Sequence, residues 1–156
     1  MTSRRVPAWL SIGSLLLCLV GVAVSAYLTY EHYSGGTTLA CPESATVNCV
    51  KVTTSSYASL FGAPVALLGL LFYVAMTVLC LPQVWRMSNP WLPRVRALAL
   101  AGGAVFVIYL VWAELFRLEA ICLWCTVVHV VTVLLLGLVL VGEAFVEPAD
   151  EAALSL

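Results

Sequence analysis

Four apolar runs, each long enough to cross about 30 Å of hydrocarbon, constrain this chain more than any other feature. They cover residues 8–30, 64–81, 95–115 and 121–141. Charged residues make up only 10% of the sequence and hydrophobic residues 63%, whereas a soluble domain carries about 25% charged residues. The expected fold class is an all-α membrane protein: one four-transmembrane-helix bundle over residues 1–156. The first run follows Arg4 and Arg5, as a signal peptide's apolar stretch does. It is too long for one, and no small-residue cleavage site precedes Tyr27, so it is read as a span. The net charge of −1 gives no sign of nucleic-acid binding.

Basic residues set the expected orientation. With four spans, Arg4, Arg5, Arg86, Arg94 and Arg96 share one side, and Lys51 and Arg117 the other. That distribution puts both termini in the cytoplasm. The loop over residues 31–63 and the start of the last span then face the exterior. The acidic tail (Glu147, Asp150, Glu151) carries little weight in this rule.

The last span opens on Cys122-Leu123-Trp124-Cys125, with His129 one turn further on. On a helix at ~100° per residue, Cys122, Cys125 and His129 fall within an arc of ~60°, and Trp124 points roughly the other way. A helix N-terminus favours thiolate. His129 is expected about 12 Å into the outer leaflet. An ionisable residue at that depth is a candidate site residue, with a bond to a neighbouring helix as its structural alternative. Glu114, Arg117 and Glu119 read most simply as solvated interface charges, with holding the geometry near Cys122 as their other reading. Cys18 and Cys80 lie within apolar runs without a partner in sequence and read as small hydrophobes.

The outer loop carries a flexible turn over residues 34–38 and then Cys41 and Cys49. In an oxidising compartment such a pair can form a disulfide. A structural staple is the plain reading. A second dithiol on the same side of the membrane adds another, electron relay by thiol–disulfide exchange. Residues 53–62 are semi-polar and read either as a short interfacial helix, with Tyr57 and Phe61 toward lipid or a cavity, or as an ordinary re-entry loop ending at Gly62 and Pro64. Small residues at Gly21 and Ser25, and at Ala97, Ala101 and Gly102-Gly103-Ala104, allow close helix contacts.

A dithiol that becomes a disulfide releases two electrons and two protons. The abundant bilayer carrier for that pair is a quinone. No flavin or nicotinamide fingerprint is present. Two readings from other classes stand beside this one. Cys122, Cys125 and His129 are three soft ligands on one stripe, which suits a membrane metal-binding protein, although no fourth ligand stands in the segment. A non-catalytic scaffold held by disulfides is the other. A second quinone-linked disulfide-generating family also has four helices, but its C-x-x-C belongs in the first exterior loop.

Taken together, the residues resemble a bacterial member of the vitamin K epoxide reductase family over nearly the whole chain. The resemblance rests on Cys41 and Cys49 in the loop, the 55–62 segment with Phe61-Gly62, Leu68-Gly69 and Phe72-Tyr73, and Cys122-x-x-Cys125-Thr126. It implies a four-helix bundle around a quinone (menaquinone or ubiquinone), capped by a short interfacial helix. It implies that Cys125 meets the quinone, Cys122 exchanges with the loop through Cys49, and Cys41 exchanges with a partner. Ser55 matches a family serine tied to the active region, and Phe61 belongs to the same segment, so both count among the quinone-binding candidates. His129 stands where some relatives carry a tyrosine that bonds the quinone oxygen. Some bacterial relatives carry a fused thioredoxin-like domain, and none follows before Leu156, so the implied partner is a separate thioredoxin-fold (DsbA-like) protein. The implied location is a bacterial inner membrane and the implied role is support of disulfide formation. No metal site is expected, and the epoxide reduction of animal relatives is not carried over.

Overall fold

A computed structural model describes residues 6–35 and 39–145. Arg4, Arg5, the acidic tail and residues 36–38 of the expected turn lie outside the described residues. The chain runs through α1 (Ala8–Tyr33), α2 (Cys49–Thr53), a 3₁₀ turn (Ser56–Ala58) and a small hairpin of β1 (Ser59–Leu60) and β2 (Ala63–Pro64). Then come α3 (Val65–Leu79), α4 (Pro82–Trp85), α5 (Trp91–Ala113), a π-helical turn (Glu114–Leu118) and α6 (Leu123–Phe145).

Among the described residues, three helices are long and apolar enough to cross a bilayer: Ala8–Tyr33, Trp91–Leu118 and Leu123–Ala144. The remaining expected span forms α3, which is shorter at 15 residues. Prolines bracket it. Pro64 precedes its first residue, and Pro82 cannot continue the helix beyond Cys80. On α1, Leu16 and Leu19 are exposed; so are Leu98 and Val105 on α5, and Val130 and Leu134 on α6. Such a belt of bare leucine and valine is a liability in water and fits lipid.

The helices pack in the order α3–α1–α6–α5, with α3 and α5 only sparsely in contact. Small residues permit the tight seams, as their spacing suggests. A side chain at Gly21 would collide with the Tyr73 ring, and one at Gly103 would press on Phe72 Cζ at 3.0 Å. The packing leaves two cores. One gathers Leu10, Cys18, Met76, Cys80, Trp85, Leu100, Leu135 and Val139 at the end away from the loop. Cys18 and Cys80, distant in sequence, are both fully buried there as free thiols. The second core joins Cys49, Val52, Ala120 and Cys122 at the loop end.

Three expectations are refined. Of the two readings open for residues 53–62, no continuous helix forms: Thr53 ends α2 and Ser56–Ala58 make a single 3₁₀ turn. The helix comes earlier, at Cys49–Thr53, where Asn48 caps it by accepting the Lys51 N–H at 2.8 Å. The later residues make a hairpin whose tip, Phe61-Gly62, has φ of 51° and 83°. Two successive positive φ values are what a tight two-residue hairpin connection demands. Second, Arg96 is not a surface charge. It is 1% exposed, ion-pairs with Glu143 at 2.5 Å, donates to the Leu79 carbonyl at 3.1 Å and lies 3.7 Å over the Trp85 ring. Third, the last helix begins at Leu123 rather than residue 121, because Ile121 is paired with the outer loop.

Candidate active site

The outer loop and the approach to α6 are tied together by backbone. Val47 and Ile121 form a parallel bridge, in which the Ile121 N–H donates to Thr46 O at 2.8 Å and the Asn48 N–H donates to Ile121 O at 3.1 Å. Pairing 47 with 121 sets the next residues of both strands side by side. Cys49 and Cys122 consequently share one buried cluster, with Cys41 and Cys125 packed at its edge. Cys41 and Cys49 form a disulfide, while Cys122 and Cys125 are thiols. A clamp steadies the Cys41 side. Ala40 donates its N–H to the Tyr27 hydroxyl at 3.0 Å and accepts the Trp124 indole N–H at 2.8 Å. The Tyr27 and Trp124 rings meet edge to face at 5.0 Å.

Cys122 is not on the helical stripe expected for it, since it precedes the first residue of α6. It caps the helix instead. Its carbonyl accepts the Thr126 N–H at 2.9 Å, and its sulfur accepts the Cys125 N–H at 3.2 Å. A hydrogen bond from the Cys125 thiol, with help from the Cys125 and Trp124 amides, holds the Cys122 thiol below the ordinary thiol value. Burial and the Glu114 carboxylate oppose this and push it up. The favourable contacts are those of a sulfur at a helix N-terminus.

Below the cysteines lies a cavity of about 320 Å³ with contributions from all four long helices and the loop. It sits in the wedge between α3 and α5, and its wall is largely apolar (Leu28, Leu68, Phe72, Phe106, Leu110, Val128). That volume and composition are those of a small-molecule site, where pockets of about 300–1,000 Å³ with few polar groups are usual. Cys125 and His129 line it together. His129 is buried, and its imidazole makes no hydrogen bond with any described residue. Tyr73 closes the far side, its hydroxyl 2.7 Å from Thr132 Oγ1 and donating to Val128 O at 2.9 Å.

Of the remaining sequence candidates, Ser55 lines the cavity and donates its hydroxyl to Val52 O at 2.8 Å. Phe61 does not line it. It is 99% exposed at the hairpin tip, because the turn throws its side chain outward. Cys122, Cys125 and His129 do not make a metal cage: the described residues contain no group of three or more His, Cys, Asp or Glu placed to hold a metal ion.

Two further residues line the cavity: His32 was missed in the sequence, and Glu114 was placed near Cys122 only as its second reading. His32, at the end of α1, lines the cavity, although the first span was expected to stop at residue 30. Glu114 lines it too, and it is a buried residue rather than a solvated charge. The π turn puts it there. Glu119 adopts a left-handed conformation at φ 49°, and the N–H groups of Glu119 and Ala120 both donate to Glu114 O. The Cys122 N–H donates to Glu114 Oε2 at 3.5 Å. No local pattern announces a π turn; the available signal was an acidic residue just before an apolar turn that ends in a C-x-x-C.

Comparison with curated proteins finds no match. A family profile, the Vitamin K epoxide reductase family, matches residues 13–140, a stretch that takes in both cysteine pairs and every long helix. With disulfide, dithiol and cavity stacked inside that stretch, the chain belongs to the vitamin K epoxide reductase family.

Proposed function

We propose that this protein is a membrane thiol:quinone oxidoreductase that re-oxidises a separate thioredoxin-fold partner and so supports disulfide formation. The observation that carries the reading is the stack: an oxidised pair at the loop, a reduced pair directly beneath it, and an apolar cavity beside the lower pair. Neither a loop staple nor a lone dithiol needs that arrangement.

The residues fit a quinone head group. The cavity is large enough and apolar, Cys125 faces it, and the unpartnered His129 offers a hydrogen bond to a carbonyl oxygen. Cys125, His129 and Ser55 are the residues that would hold or meet it. A bound quinone supplies a sink for two electrons and two protons. The sparse seam between α3 and α5 suits lateral entry from lipid.

The protein's own residues then divide the work. Cys41 is the half-buried member of the loop pair and meets the partner's thiolate. Cys49 is buried against Cys122 and hands the reducing equivalents inward. Each transfer is a thiol–disulfide exchange, in which one S–S bond forms as another breaks. Cys122 and Cys125 close their own disulfide when the electrons leave. For orientation, the reading keeps both termini in the cytoplasm of a bacterial inner membrane. It takes α3, exposed at Leu71, Val74 and Val78, as a fourth span continued by α4. Arg96 no longer counts toward the orientation, and Arg4, Arg5, Arg86 and Arg94 still outweigh Lys51 and Arg117.

Cys125→Ala tests the assignment. Purified variant in lipid vesicles is expected to lose quinone reduction with a small dithiol as donor. Retained turnover would contradict the role given to Cys125.

A further inference from the structure

We propose that Glu114 and Cys122 share a proton, and that Glu114 takes the Cys122 proton when the Cys122–Cys125 disulfide forms and delivers it to the acceptor in the cavity. This rests on the quinone reading above.

The need arises from burial. Cys122 is fully buried against Cys49 and Ala120, so its proton has no direct path to water. Cys125 reaches the cavity and Cys122 does not. Glu114 touches both places: its carboxylate accepts the Cys122 N–H at 3.5 Å, and it also lines the cavity while only 6% exposed. A carboxyl group that meets the residue of a sealed thiol at its backbone N–H on one side and lines a ligand space on the other is a route between them.

The charges around it point the same way. From the segment that follows, the Cys122 N–H reaches Glu114; Cys125 and His129 line the same cavity from α6, and His32 and Tyr57 line it from α1 and the loop. Arg117, on the same turn, does not neutralise Glu114. Its Nε donates to the Tyr57 hydroxyl at 3.0 Å, and its guanidinium lies 5.9 Å over the Trp112 ring. Two neighbouring acids in an apolar setting resist carrying two negative charges and titrate as a pair. The Cys122 sulfur is favoured as thiolate by the Cys125 amide at its helix cap. One proton is then held between the two groups. The π turn that buries Glu114 is a rare type of turn that is frequent at functional sites.

The step balances. The S–H bonds of Cys122 and Cys125 break, and one S–S bond forms. The electron pair goes to a quinone, which becomes a hydroquinone. Glu114 carries the Cys122 proton to one of its oxygens, and the Cys125 proton goes to the other.

The test uses the full chain in lipid vesicles as wild type, Glu114→Gln and Glu114→Asp. Glutamine keeps an acceptor for the Cys122 N–H but cannot carry the proton; aspartate keeps a carboxyl group. The first measurement is an infrared difference spectrum between the dithiol and disulfide forms, prepared with small thiol and disulfide reagents and no quinone. The second is the rate of reduction of a short-chain quinone across pH. Wild type and Glu114→Asp are expected to show a carboxyl band that changes on oxidation, and Glu114→Gln to lack it. Glu114→Gln should reduce quinone roughly 100-fold more slowly, a proton-transfer-sized loss, with a flattened pH profile. Identical infrared spectra for wild type and Glu114→Gln, or a Glu114→Gln rate and pH profile like the wild type's, would overturn the pairing. Should Glu114→Gln fail to fold, a wild-type spectrum without any carboxyl change overturns it as well. A wild type that reduces no quinone defeats the underlying reading, and the infrared arm still decides the shared proton.

Discussion

The two sulfurs of the C-x-x-C do different things, and the difference follows from one residue of helix boundary. Cys122 lies just outside α6, caps it and is buried against the loop pair; Cys125 lies inside the first turn and faces the cavity. The lowered value of the Cys122 thiol makes a prediction about pH. A depressed thiol is ionised at a pH where an ordinary cysteine, near 8.5, is still protonated. Reduced protein is therefore expected to keep ultraviolet thiolate absorbance below that pH, and Cys122→Ser to lose it. Equal titration curves for the two proteins would contradict the assignment. His129→Phe removes a cavity imidazole that makes no hydrogen bond with any described residue and is expected to raise the quinone KM with thiol exchange intact. That loss is about the size of one hydrogen bond, roughly 1 kcal/mol or several-fold in KM; an unchanged KM would return His129 to a packing role. The cysteines and His129 were legible in the sequence because residue type and spacing alone mark them. Glu114 was legible only as a second reading near Cys122, since whether a carboxylate is solvated or buried depends on a turn that no pattern of apolar residues encodes.

At the scale of elements, the long apolar runs were legible and their ends were not. Hydropathy locates a span but carries no information on the hydrogen bonds that stop it. Pro64 and Pro82 shorten α3, and the bridge between Val47 and Ile121 delays α6. The hairpin at Phe61-Gly62 was misjudged for a related reason: the same semi-polar composition suits a surface helix and a tight turn, and the positive φ values at its tip decide between them. The element contact with the largest expected effect on stability is at the opposite end. Arg96 joins α5 to Glu143 of α6, to the last carbonyl of α3 and to Trp85 of α4. Removing one partner of a buried ion pair costs about 3–5 kcal/mol. Arg96→Ala is expected to lower the thermal midpoint in detergent substantially, and an unchanged midpoint would show that the clamp contributes little. Cys41→Ala belongs to this scale too, because it acts on the loop as a docking element. It should abolish oxidation of a protein partner while sparing turnover with a small dithiol; equal loss of both would argue against a relay through the loop.

In the whole molecule, two cores stand at the two ends of the bundle with the cavity between them. The core away from the loop gathers apolar side chains from α1, α3, α4, α5 and α6, with the Arg96 clamp beside it. The loop-end core is built largely from the cysteine loop and the approach to α6, so the residues proposed to exchange thiols and disulfides also pack that end. The cavity lies between the two cores and is bordered by α3 and α5 where they scarcely meet. The most direct measurement is the stoichiometry of coupled oxidation: purified protein in quinone-containing vesicles, a reduced thioredoxin-fold protein outside, thiols and quinone followed together. Loss of one quinone for each pair of thiols oxidised, abolished in Cys125→Ala, is the predicted result. Thiol oxidation that proceeds at the same rate in vesicles without quinone would contradict the account.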